Sequence, residues 1–504
     1  MTNQPKKQKS KTDPNKIQKS LAKNVEILKT TFADCGDIVM REFIVGGETQ
    51  KMYLLYTDNI VDSNAVREYI MTNLMAFYEE ETGELTLKRI ELDILAVGET
   101  MELSTYDEVY LAILSGEIVL LMEGEDYALQ ASLKLFPSRG VNQPQTEVVV
   151  QGPKDAFLEV MAINIVLIRR RIRDTKLKLK RKRIGTRTQT DIAIMYIEDL
   201  VRPKLLAQIE SQLDQFQGDG VLDSGSLEQL LERHYLSPFP QLQMTERPDK
   251  ASAALMEGRV VVLVDNTPFV ILLPTTMNLF FQAAEDYYER WEIMSFVRAI
   301  RYLAAFGAMT LPAFFIALTA YHPQLLPVSF AIKVALTRES IPFSVVGEVI
   351  LMELAFELLR EAGIRLPSPI SGTIGIVGGI IIGSAAVEAG IVSPLVVIIS
   401  AVTGVFTFVI PNVAFVSAVR VCKYIIMAFA SFFGLFGIWT ALTLIAIHLS
   451  KMTSYGIPYL YPFCSASANN AKDFEDSIVR FPLRKLKRMS IFMKRNSGGR
   501  TGGK

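Results

Sequence analysis

Three glutamates stand in an apolar run where charge is costly. Ile341 to Leu359 is otherwise largely hydrophobic, yet it carries Glu348, Glu353 and Glu357. A carboxylate at membrane depth costs about 2.5 kcal/mol or more on insertion scales, so such residues face a protein interior or a water-filled path. On a helix turning about 100° per residue, Glu353, Glu357 and Arg360 fall within about 60° of one another. Glu348 and Ser344 lie on a different side. The chemistry this pattern offers is cation passage, with one or more carboxylates lining a path and oligomerisation multiplying them into a ring. The alternative is structural: Glu357 pairs with Arg360, and the set anchors neighbouring helices.

A second patterned stretch follows. Ile370 to Val387 holds eighteen residues without a charge, and its glycines Gly375, Gly379 and Gly383 recur every four positions. On a helix that spacing puts all three on one face, where another backbone can approach closely. Glu388 ends the run and reads as an interfacial residue. Enzymatic constellations are missing: there is no Gly-x-Gly-x-x-Gly, no Walker lysine loop, no nucleophile elbow and no His-Glu-x-x-His. Cys35, Cys422 and Cys464 are too far apart for a metal knuckle or a disulfide framework, and His234, His322 and His448 are scattered. No catalytic residue, cofactor or metal site is expected, and the chain is not expected to be an enzyme.

The elements that position these residues divide the chain. Half of its 504 residues are hydrophobic, the mean hydropathy is +0.26, and the apolar residues concentrate between 302 and 448. Four long uncharged stretches, Tyr302 to Tyr321, Ile370 to Val387, Ile391 to Ile410 and Tyr424 to Ile447, are each near the length of about 20 residues that a membrane crossing needs. Tyr287, Tyr288 and Trp291, beside Arg290, Arg298 and Arg301, suit a water–lipid boundary. That cluster and the basic stretch Arg480 to Arg495 both belong on the cytoplasmic side, which requires an even number of crossings. Four crossings satisfy this if Ile341 to Leu359 is an amphipathic or re-entrant helix. The alternative is six, reached by splitting the region Val416 to His448.

The first part of the chain reads as α/β. Residues 1–23 are rich in Lys, Gln, Ser and Asn and are expected to form a disordered basic tail, with no cleavable signal. Strand-like runs (Lys51 to Tyr56, Glu117 to Met122, Asp191 to Tyr196, Arg259 to Val264) then alternate with helical ones (Ser63 to Tyr78, Lys154 to Arg171, Lys204 to Phe216). Tyr56 to Val61 lines up with Tyr196 to Val201, and Asp107 to Gly116 with Asp249 to Gly258, at offsets of 140 and 142. We read two duplicated α/β subdomains, 24–138 and 145–275, joined by a turn-rich linker. An all-α polytopic transmembrane domain, 291–450, and a basic cytoplasmic tail, 451–504, follow. Arg169 to Arg187 holds eleven Lys or Arg. Without interleaved aromatics or a recognition motif it reads as a solvated face or a subunit contact, or as a contact with membrane lipids, and no nucleic acid is expected.

Ordered blocks of the chain resemble a known family, the A subunits of the GerA-type spore germinant receptors. The blocks include Glu147 to Phe157, Asn164 to Asp174, Ser237-Pro-Phe-Pro-Gln241, Thr245-Glu-Arg-Pro-Asp249, Glu285 to Arg290, His322 to Pro327, Arg338 to Pro367, Ala385 to Pro394 and Tyr455-Gly-Ile-Pro-Tyr459. The resemblance implies a receptor in the inner membrane of a bacterial endospore. Its A subunit would form a ring-shaped homo-oligomer and work with a transporter-like, nutrient-binding B subunit and a lipoprotein C subunit. It further implies that nutrient binding at B opens the A ring to cations, with the α/β subdomains on the core side.

Overall fold

The computed structural model describes residues 14–45, 50–75, 86–95, 99–134, 143–365, 383–464, 476–482 and 491–493. Its first half is the same unit built twice. The first copy runs α1 (Leu21–Thr31), β1 (Ile38–Val45), β2 (Gln50–Thr57), β3 (Thr100–Leu103), α2 (Tyr106–Leu114), β4 (Ile118–Met122) and β5 (Ala128–Ala131). The second runs α3 (Met161–Arg169), β6 (Leu177–Ile184), β7 (Thr190–Ile197), α4 (Pro203–Asp214), α5 (Ser224–Leu231), β8 (Gln243–Thr245), α6 (Pro248–Met256), β9 (Val260–Val264) and β10 (Val270–Leu273). The sheets have matching strand orders, β1-β2-β4-β5-β3 and β6-β7-β9-β10-β8.

The duplication extends to single hydrogen bonds. Asn24 accepts from the Gln18 amide and donates back to its carbonyl (3.0 and 2.6 Å). Asn164, 140 positions on, does the same with Leu158 (2.7 and 2.6 Å). Glu123 accepts from Leu21 N, and Asp265 from Met161 N. Gly116 and Gly258 both take left-handed backbone (φ +82 and +81) after their helices, the conformation that glycine adopts most readily at a helix end.

Strands and helices alternate as expected, yet all the described strand pairings in both sheets are antiparallel. β5 lies between β3 and β4, and β10 between β8 and β9, so α2 and α6 cross over an intervening strand, a split βαβ arrangement. Each sheet is covered on both faces, by α1 and α2 against Val66, Ile70, Leu74, Leu87 and Ile90 in the first copy and by α3 and α6 against α4 and α5 in the second. The first copy begins earlier than residue 24. Ile17 and Leu21 are buried, and Ile17 N donates to Ser104 O, because this edge of the core needs two more apolar residues to close it.

The second half is a helix bundle: α7 (Trp291–Ile316, prolonged by Ala317–Tyr321), α8 (Val328–Arg338), α9 (Val345–Arg365), α10 (Pro394–Val409) and α11 (Val413–Lys451). Among the described residues, two helical stretches are long and apolar enough to cross a membrane, Trp291–Tyr321 and Val413–Lys451. The second is folded in half. Gly434 breaks the helix (φ 58, ψ −136), and a Cβ at Gly437 would overlap the Phe429 carbonyl. The two ends meet again: Phe239 lies 6.0 Å from the Phe415 ring and 6.4 Å from the His448 ring. A straight helix would hold those residues about 50 Å apart. The expected single stretch Tyr424 to Ile447 is therefore two antiparallel arms, 413–433 and 435–451, and the Gly434 backbone makes the turn.

Contacts fix the helix directions. Phe415 packs at the foot of α7, and Ala430 near its far end, so the first arm of α11 runs parallel to α7. Glu348 meets the start of α10 and Arg360 its end, so α9 and α10 run parallel to each other. α9 is one unbroken helix that packs Val345, Val349 and Met352 into the bundle and leaves Leu354 and Leu358 exposed. After α11, β11 (Thr453–Ser454) and β12 (Ile457–Pro458) form a small hairpin, and Tyr459 enters the aromatic cluster at the foot of the bundle. The described parts of the C-terminal tail return to the folded body: Asp476 binds Arg298, and Phe492 lies under Arg259.

Candidate functional site: the acid file of the bundle

All three predicted glutamates face other helices of the same chain, and each has a cation. Glu348 is fully buried; its Oε1 accepts from Arg338 Nε at 2.9 Å, and its Oε2 from Ser393 N at 2.9 Å. Glu353 Oε2 lies 2.5 Å from Lys423 Nζ, with both side chains under 7% exposed. Glu357 pairs with Arg420, not with Arg360. Arg360 instead donates to Thr407 Oγ1 at 2.7 Å and lies over the Phe408 ring. The reason is geometric. The first arm of α11 runs antiparallel to α9, so Arg420 and Lys423, three apart, meet Glu357 and Glu353, four apart, on facing helix sides.

Around these pairs runs a line of polar groups. α10 contributes Ser393, Ser400, Thr403 and Thr407, all buried. Glu353 Oε1, Ser393 Oγ, Ser400 Oγ, Arg420 Nε and Tyr424 Oη are buried without a hydrogen-bond partner among the described residues. Unpaired polar atoms in an apolar interior are unstable unless water or an ion meets them. The outside of the bundle is the reverse. Phe306, Leu358, Phe408, Phe433, Phe436 and Trp439 are exposed, so large apolar side chains stand on the outer surface of α7, α9, α10 and α11.

At the foot of the bundle, buried charge ties α7 to the segment before it and to the C-terminal segment. Asp286, with no exposed surface, accepts from Arg298 Nε (2.7 Å) and Arg301 Nη1 (2.7 Å), and Arg298 also reaches Asp476 at 2.6 Å. Tyr287 donates to Asp476 (2.7 Å), and Tyr288 donates to Asp249 (2.5 Å). Arg298 and Tyr287 thus tie the start of α7 to the C-terminal segment, and Tyr288 ties it to α6. Asp476 was hidden from the sequence reading because it lies 178 positions beyond Arg298.

The basic run of β6 is neutralised within the chain: Lys176 by Asp199, Lys180 by Glu210 and Lys182 by Asp214. Arg169 forms a buried fork with Asp37 at 2.6 and 2.8 Å, tying the two subdomains together. Of the glycine face, Gly383 is buried, and a Cβ there would stand 3.0 Å from Val397 Cγ1; Gly375 and Gly379 lie outside the described residues. Glu388 is exposed. Among the described residues no group of three or more His, Cys, Asp or Glu could hold a metal ion.

A sheet-built, duplicated domain followed by an apolar helix bundle with an internal acid file is the architecture of this chain. The family follows from comparison. The chain matches the model described as Bacillus/Clostridium GerA spore germination protein over residues 26–491, and it belongs to that family. Spore germination protein GerLA of Bacillus cereus is 37% identical over 466 residues, 92% of this chain and 94% of that protein. The uncharacterized membrane protein YfkQ of Bacillus subtilis is 36% identical over 466 residues, 92% of this chain and 90% of that protein. The crystal structure of the N-terminal domain of the A subunit of the Bacillus megaterium spore germinant receptor GerK3 is 29% identical, covering 51% of this chain and 95% of that one with a TM-score of 0.41.

Proposed function

We propose that this chain is the A subunit of a spore nutrient germinant receptor. It assembles as a ring-shaped homo-oligomer in the inner spore membrane, beside a transporter-like B subunit and a lipoprotein C subunit. Nutrient bound at B opens it to cations, and ion release starts germination. The observation that carries this reading is the buried acid file inside a bundle whose outer surface is apolar. Carboxylates are retained at such depth where they serve an ion or proton path. Membership of the germination family supports the same assignment.

The helix directions support six crossings. α9 and α10 run the same way, so the chain must recross the bundle between them, and Ile370 to Val387 is an apolar stretch of suitable length. With α7, α9, α10 and the two arms of α11, that makes an even number, and both the α/β domain and the C-terminal segments lie on the core side. Gly375, Gly379 and Gly383 serve as the packing face of that crossing.

A second reading is a non-conducting scaffold, or a related sporulation membrane protein that supports receptor clustering. The pairing of all three glutamates favours it, since a fully paired set can simply fasten helices. Reconstitution of the purified chain in liposomes, alone and with its B partner, separates the two. Cation flux is the expected result. An oligomer that forms and passes no ions in either preparation would assign conduction to another component.

A further inference from the structure

A tight turn of the second subdomain carries two large apolar side chains at its corners. It runs from His234 to Ser237 and closes with Ser237 N donating to His234 O at 2.9 Å. The two residues between, Tyr235 and Leu236, are 79% and 85% exposed. Turn corners in water favour Gly, Pro, Asn, Asp and Ser, each for a backbone reason; Tyr and Leu supply none of those. The place of the turn accounts for them. Ser237 Oγ lies 2.8 Å from His448 Nε2. His448 ends the uncharged run of the second arm of α11, and Tyr302 begins that of α7. A chain of ring contacts holds these two residues at one level. Phe239 lies 6.4 Å from His448 and 6.0 Å from Phe415, and Phe281 lies 5.0 Å from Phe415 and 4.0 Å from Tyr302. Two helices thus change from apolar to polar in the same plane, which is where a water–lipid boundary falls. The turn stands at that plane. Leu444, one helical turn before His448 on the same face, is exposed, so the apolar outer surface of α11 runs on to the turn. Arg233 and His234 are exposed beside it, with the Arg233 guanidinium over the Tyr455 ring at 5.3 Å.

We propose that this turn is a wedge seated in the bilayer surface, in the leaflet on the side of the α/β domain. Leu236 enters among the acyl-chain ends. Tyr235 lies across the headgroup level, its ring in lipid and its hydroxyl toward water. Arg233 meets the lipid phosphates. The wedge sets the height of the second subdomain on the membrane independently of the helices. This rests on the membrane reading of the bundle above.

The test is the accessibility of a nitroxide label on the full-length chain reconstituted in vesicles that contain phosphatidylglycerol. Cys35 and Cys422 are buried and Cys464 is exposed, so Cys464→Ser is the background. Leu236→Cys carries the label. Phe436→Cys on the outside of the bundle and Leu111→Cys on α2 of the first subdomain, both exposed positions, are the references. Oxygen, which concentrates in lipid, and a neutral nickel chelate, which stays in water, are the relaxants. The oxygen-to-nickel ratio at 236 should stand several-fold above that at 111 and approach that at 436. A ratio at 236 equal to that at 111, with 436 lipid-like, overturns the wedge and leaves the membrane reading standing. Exclusion of both relaxants from 236 also overturns it and assigns the turn to a contact with another copy of the chain. A water-like ratio at 436 takes down the membrane reading and the wedge together. If Leu236→Cys does not reconstitute, Tyr235→Cys carries the label with the same outcomes.

Discussion

At the foot of the bundle Asp286 is gripped by two arginines, one of which also holds Asp476. Halfway up, Glu353 meets a lysine through a single oxygen. Both sets of charge are buried, yet they are built differently. The foot cluster, like the Arg169–Asp37 fork between the subdomains, uses guanidinium groups whose planar donors fix orientation as well as charge. The mid-bundle pair uses a point charge on a flexible stem; unmet polar atoms accompany both kinds, Arg169 Nη1 and Arg298 Nη2 as well as Glu353 Oε1. The first kind fixes the geometry of both partners; the second fixes charge and leaves direction free.

Stability measurements on the detergent-solubilised protein can break or sharpen this contrast. The largest effect is expected from Asp286→Ala, which strands Arg298 and Arg301 without their shared acid. Breaking one buried pair costs about 3–5 kcal/mol, so this variant should lose at least that much and be recovered poorly as a folded species. Asp37→Ala strands Arg169 alone and should cost about 3–5 kcal/mol, seen as a lowered melting temperature; the paired replacement Asp37→Leu with Arg169→Met should recover most of it. For the mid-bundle pair, removing both charges (Glu353→Gln with Lys423→Met) should shift stability by no more than about 1 kcal/mol. A loss as large as that of Asp37→Ala would class this pair with the fasteners.

The smallest effect concerns Glu228, a half-buried carboxyl of α5. Burial, and then the neighbouring charge of Glu232, pushes the Glu228 carboxyl up from 4.5 to about 7. Because its folded value is raised, its contribution to stability is fully present below pH 4.5 and is lost as pH rises through about 7. Melting temperature should therefore fall across that window, and Glu228→Gln should flatten the slope. An unchanged slope would mean that other groups set it.

Much of the soluble half was legible because a duplication writes its signal twice. The offsets around Gly116 and Gly258 located matching helix ends, and the structure adds Asn24 and Asn164, which do the same job at the same offset. Strand direction was not legible, because the insertion of β5 and β10 between other strands is a long-range choice. In the bundle, the glutamates were conspicuous and their partners were not. Arg420 and Lys423 stand just before the uncharged run that begins at Tyr424, so they resemble flanking charges. Their spacing, one turn apart like Glu353 and Glu357, was the available clue. The fold at Gly434 was hidden in a run of apolar residues where a glycine reads as ordinary helix packing. Only the meeting of Phe415 and His448 on Phe239 reveals it.

The most direct test of the central claim is nutrient-evoked cation flux through the reconstituted receptor, with this chain carrying Glu348→Gln, Glu353→Gln and Glu357→Gln singly and together. If the acid file is the path, flux falls in the triple variant while the oligomer still forms, and Glu353→Gln accounts for the largest single loss. Undiminished flux in the triple variant would contradict the account and leave these glutamates as helix fasteners.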